Sequence, residues 1–168
     1  MIGEVSLDPQ RMFKHACAFV DCAKYCQIEP NNIKYRLQSH TVAGIVNSAF
    51  ACEVFLKMLL ITHGVPFKEL NELHKLEELW DSLKTVDCKT ASFVEQKVQE
   101  WFDFKAENRF DEFLSEISNA FVYWQYIYEK DKGKINLNFL IYFRDLLREV
   151  CCNQLYEKSW CEYIKSGQ

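Results

Sequence analysis

Between Thr41 and His63 the chain follows a helical pattern that is apolar on nearly every side. Val42, Ile45, Val46, Ala49, Phe50, Leu56, Leu59 and Leu60 recur at helical spacings and cover most of the circumference. A helix of about 23 residues is roughly 34 Å long, and one that is apolar all round must be enclosed by other elements. That leaves a bundle with a central helix, or a membrane span. Asn47, Ser48, Glu53 and Lys57 interrupt the run, and four polar side chains in one span favour the buried helix. Gly64, just after His63, predicts the C-cap.

The remaining pattern supplies what would surround such a helix. The 168 residues include only 5 Gly and 3 Pro, too few breakers for many short strands. Asp8-Pro9 reads as an N-cap with proline at the first helical position. Phe13, Ala16, Cys17, Val20 and Ala23 follow at helical spacing, and the first helix is expected to end near Gln27, before Glu29-Pro30-Asn31-Asn32. Val65-Pro66-Phe67 reads as a loop. A short third helix is expected through Leu73, Leu76, Leu79, Trp80 and Leu83, with His74 at its start. Thr90 is the expected cap of a fourth helix carrying Phe93, Val94, Val98, Trp101 and Phe102. Asn108 opens a fifth, with Phe110, Phe113, Leu114, Ile117, Phe121, Trp124 and Tyr128. Residues 130–134 form an exposed basic turn, and Asn136 opens a last helix through Phe139, Leu140, Phe143, Leu146, Leu147 and Val150. The expectation is an all-α protein, one mostly antiparallel bundle of about five to six helices. No repeat or composition shift divides residues 1–168, so a single domain is expected.

Charge narrows the function classes. A net charge of −4 and a pI near 5.6 do not fit a general nucleic-acid binder, so any RNA contact needs a local patch. Lys130, Lys132 and Lys134 make a weak one, broken by Asp131. Arg144 and Arg148, beside Asp145 and Glu149, read as a solvated face of mixed charge. No basic segment followed by an apolar run opens the chain, so a cytoplasmic protein is expected, without membrane attachment. The 8 cysteines contain no Cys-x-x-Cys pair. Cys22 and Cys26 share a helix face and could join Cys151 and Cys152 in a tetrahedral zinc site; the simpler expectation is free thiols serving as small hydrophobes, with no metal.

Few residues carry obvious chemistry. Phosphate loops, dinucleotide fingerprints and His-Glu-x-x-His are absent, and no cofactor is expected. Glu53 and Lys57 stand four apart and share a helix face. They form either a structural ion pair or part of a site. His74 is either a capping or core-edge histidine, or the group that faces and orients Glu53. The segment 121–130, FVYWQYIYEK, holds more large rings than one helix can hide in a small bundle. Phe121, Trp124 and Tyr128 fall on the core face. Tyr123, Tyr126 and Ile127, with Gln125 beside them, are candidates for a dimer or partner surface, since Tyr and Trp are enriched at interfaces. The alternative is that short helices of the same chain cover them.

The runs ACEVFLKMLL (51–60), HKLEELW (74–80) and FVYWQYIYE (121–129), in that order, resemble the HEPN superfamily of helical domains in prokaryotic toxin–antitoxin, abortive-infection and CRISPR-linked systems. The resemblance covers most of the chain and implies a bundle of about five helices that pairs into a homodimer. Many members are metal-independent ribonucleases whose signature is an arginine, then four to six intervening residues, then a histidine. Arginine stabilises charge developing on phosphate and histidine moves protons. This sequence departs from that signature. Gln125-Tyr126 stands where related members have an arginine, and no histidine follows His74. Glutamine cannot supply the charge. The resemblance therefore implies a non-catalytic module binding a nucleotide, RNA or an antitoxin-like protein. The alternatives are a ribonuclease rebuilt around Glu53, His74 and residues near Gln125, and an unrelated helical scaffold.

Overall fold

A computed structural model describes residues 7–27, 37–102, 109–118 and 135–167. Among them are eight helices and no strand: α1 (Pro9–Gln27), α2 (Leu37–Thr62), α3 (Phe67–Leu70), α4 (Leu76–Val86), α5 (Cys88–Phe102), α6 (Phe110–Ser118), α7 (Leu137–Tyr156) and α8 (Trp160–Lys165).

α2 is the axis of the fold. Ile45, Ala49, Ala51, Cys52, Phe55, Leu56, Met58, Leu59 and Leu60 are all buried, which is the enclosure that its all-round apolarity demands. α1, α4 and α7 pack directly on it. α1 presents Phe13, Ala16, Val20 and Ala23 to the core, where the two alanines bring its backbone close. The segment His40–Thr62 is long and apolar enough to cross a membrane, but 72% of its 18-residue apolar window is buried inside the protein.

Each polar interruption of α2 has a partner within the fold. Asn47 Nδ2 donates to the Ala43 carbonyl at 2.8 Å. Ser48 Oγ accepts from Arg144 at 2.9 Å. Glu53 meets Lys57 and His74. These contacts remove most of the cost of polar atoms on a buried helix.

Three termini match the expected caps. Asp8 Oδ1 accepts from the Gln10 amide at 2.9 Å, and Asn136 Oδ1 from the Phe139 amide at 3.0 Å. Gly64, at φ +83°, closes α2; its amide bonds the Ile61 carbonyl at 2.9 Å, while the Val65 amide reaches back to Leu60 at 3.0 Å. Only a residue without Cβ takes that backbone without strain.

Other expectations need correction. The helix count exceeds the expected five to six because α3 and α8, of 4 and 6 residues, bury only Leu70 and Tyr163 respectively. One buried residue makes no periodic stripe. α8 is set by a capping box instead, Ser159 with Glu162. The cap of α5 is Asp87, not Thr90: Asp87 Oδ1 accepts from the Thr90 amide at 3.1 Å. α7 runs six residues past Val150, to Tyr156, and turns through Glu157 at φ +53°. His74 lies before α4, which starts at Leu76. Asn108 and residues 121–134 lie outside the described residues.

The largest correction concerns Arg144 and Arg148. They are buried, Arg144 to 1% exposure, rather than on a solvated face. Arg144 Nε donates to Asp145 Oδ1 at 3.0 Å. Arg148 Nη2 is 3.4 Å from the same oxygen, and its guanidinium lies 4.5 Å from the Trp160 ring centre. Both arginines follow Leu140 at steps of four, on the buried face, and local charge pairing hid that register.

Candidate functional site

α2 turns Glu53 and Lys57 to the same side, and Lys57 Nζ donates to Glu53 Oε1 at 2.8 Å. The stretch between α3 and α4 brings in a third group from 21 residues away: His74 Nδ1 lies 3.0 Å from the same Oε1. Glu53 is 3% exposed and Lys57 8%, whereas the His74 side chain is 57% exposed. The acid is therefore deep and the imidazole at the surface.

That arrangement assigns roles to the ring nitrogens. A carboxylate only accepts, so Nδ1 carries the hydrogen that faces it. With the hydrogen on Nδ1 alone, Nε2 is an acceptor on a side chain that is mostly exposed. A carboxylate that orients an imidazole in this way is one arrangement that can move a proton at a surface. Glu53 Oε2, however, is buried with no hydrogen-bond partner among the described residues. An unmade bond of this kind costs about 1–3 kcal/mol, so the site carries a local expense of stability.

Of the residues expected at a site, Glu53, Lys57 and His74 come together. Tyr123, Gln125, Tyr126 and Ile127 lie outside the described residues. Among the described residues, no three His, Cys, Asp or Glu side chains form a metal-binding group. Cys22 is exposed on α1, whereas Cys151 and Cys152 are buried.

Two clusters went unread in the sequence. Ser48, Arg144, Asp145 and Arg148 tie α2 to α7, with two guanidiniums sharing one carboxylate. Their only signal was the four-residue step from Leu140. The second joins His63 to Asp87. His63 Nδ1 is 2.8 Å from the Leu59 carbonyl, and Nε2 is 3.1 Å from Asp87 Oδ2. Burial pushes the Asp87 carboxyl up, but the Thr90 hydroxyl and amide, His63 and the Lys89 amide outweigh it and hold it below the usual range. Nothing local pairs residues 24 apart.

In comparisons with known proteins, no family model, no curated protein and no solved structure matches the chain.

Proposed function

We propose that this chain is a non-catalytic, HEPN-like binding module, acting as a cytoplasmic homodimer and binding a nucleotide, RNA or a partner protein in a prokaryotic defence or toxin–antitoxin setting. The observation that carries the non-catalytic part is the state of the late arginines. Arg144 is enclosed and spends its donors on Ser48 and Asp145. Arg148 lies against Asp145 and Trp160, and Arg109 is clamped on Glu112 through two contacts of 2.7 and 2.8 Å. A phosphate contact by Arg144 or Arg148 would first have to break buried pairing, which is costly. His74 is partnered by Glu53 and has Lys57, not arginine, behind it.

The runner-up is a metal-independent ribonuclease with a rebuilt site. It is favoured by one feature, the contact of the buried Glu53 with the exposed imidazole of His74. One assay separates the two readings: RNA incubated with highly purified protein in chelator, with His74→Ala alongside. The binding-module reading expects intact RNA in both. RNA cut by the wild type and spared by His74→Ala sinks it in favour of the ribonuclease.

A further inference from the structure

α5 carries a repeat that neither reading uses. Lys89, Phe93, Lys97 and Trp101 follow one another at steps of four. Each such step advances roughly 6 Å and turns only about 40° round the axis, so the four form one slowly winding stripe of alternating cation and ring. The rings point outward: Phe93 is 46% and Trp101 65% exposed. Trp101 is nevertheless held in place. One indole face stacks on Tyr142 of α7, at 4.6 Å between centroids and 15° between planes. The Tyr142 hydroxyl donates to the Lys97 carbonyl at 3.2 Å. Trp101 remains 65% exposed despite that stacking.

We infer that this stripe is a binding surface for a single-stranded polynucleotide, with bases stacked on Trp101 and Phe93 and phosphates met by Lys89 and Lys97. The inference deepens the reading above by naming what the module binds, and rests on it only in taking the protein for a binder. Exposed rings are what sequence-tolerant base stacking needs, and interleaved ammonium groups are what the backbone needs; Lys97 Nζ, 5.9 Å from the Phe93 ring centre, swings aside when a base takes that face. Lys97 now pairs with Glu100 at 2.8 Å in the open, and exposed pairs of that kind exchange readily for another anion. The two rings are roughly 12 Å apart along the helix, room for splayed bases rather than a stacked duplex.

The floor beside Phe93 supports the same occupant. A groove of about 610 Å³ lies between α5 and α7, lined by Lys89, Phe93, Glu149, Asn153 and Gln154 among others. Its amides can address a base edge, and its carboxylates, Asp87 and Glu149, repel phosphate. A base therefore fits inside, with its phosphate on the rim at Lys89. A protein helix fits the stripe less well, because lysine at every second position interrupts the apolar ridge and lysine is depleted from protein–protein interfaces.

The test is fluorescence anisotropy in chelator with labelled oligouridylate and oligothymidylate of roughly ten nucleotides, and a duplex of equal length. Saturable binding of single strands over duplex is expected, with tighter binding of the uridylate identifying RNA and equal binding identifying any single strand. Trp101→Ala and Phe93→Ala should each weaken binding roughly 5- to 100-fold, with circular dichroism unchanged because both rings are exposed. Lys97→Gln should lower the slope of log affinity against log salt by about 0.7, an effect that mere loss of fold does not produce. No saturable binding to either strand overturns the inference, as does affinity indifferent to both ring variants. Dissociation of a dimer by Trp101→Ala, with oligonucleotide affinity intact, also overturns it and makes the stripe a self-association face. Cleavage of the oligouridylate would instead count against the non-catalytic reading and leave the stripe standing.

Discussion

Replacing Lys57 by methionine should unfold the centre of the bundle more readily than any surface change. The substitution keeps an unbranched side chain one atom shorter and removes its charge. Glu53 is then left at 3% exposure with one oxygen facing His74 and the other already without a partner. Removing one member of a buried ion pair typically costs about 3–5 kcal/mol, since the survivor keeps its desolvation penalty. His74 is more than half exposed and offsets little of that, so a loss of about 3 kcal/mol is expected. For a chain of this size that corresponds to a fall in Tm of roughly 6–12 °C. Glu53→Leu alone should cost less, because Lys57 can carry its ammonium to nearby solvent along its flexible stem. The double variant Glu53→Leu/Lys57→Met should return to within about 1 kcal/mol of wild type, as apolar groups of similar volume replace a pair whose attraction and desolvation nearly cancel. Urea titration of all four proteins, with the slope m held constant, gives the coupling energy directly. A coupling below about 0.5 kcal/mol would refute the reasoning: the pair would be hydrated, and Glu53 would not be the buried acid described above.

Two further outcomes follow from the proton affinities of groups outside that cluster. Asp87 is held below its ordinary range, so it stabilises the fold above the unfolded pKa and withdraws that support as pH falls through the folded value. Stability should decline below about pH 4, and Asp87→Asn should flatten that acid limb in thermal scans; an unchanged limb would show that the Thr90 and His63 contacts do not bias the carboxyl. Burial pushes the Cys17 thiol up to about 12 and raises Cys151 well above its usual range. Iodoacetamide at mildly alkaline pH should therefore alkylate the exposed Cys22, Cys88 and Cys161 first, with Cys17 and Cys151 modified only on unfolding. Mass spectrometry reads the order, and a Cys17 that reacts as fast as Cys22 contradicts it.

The division between what was legible and what was not follows the range of each interaction. Periodicity and caps act over a few residues, so the sequence by itself determined the helical class, the central place of α2, the starts at Asp8 and Asn136 and the stop at Gly64. The Glu53–Lys57 pair belongs here too, because one helical turn joins its members. α3 and α8 escaped because each buries a single side chain, and a helix of one or two turns draws its stability from the surface it lies on rather than from its own pattern. Thr90 was mistaken for a cap because Asp87, three residues earlier, is as good an acceptor for a helix amide and sits where the chain enters α5. Tertiary structure alone decided the rest. It joined His74 to Glu53 across 21 residues and Arg144 to Ser48 across 96, and it turned Arg144 and Arg148 inward where their neighbouring acids had implied water. Whether a charged side chain is solvated or enclosed depends on which element packs over it, and that is settled by the assembly of distant helices rather than by the residues on either side.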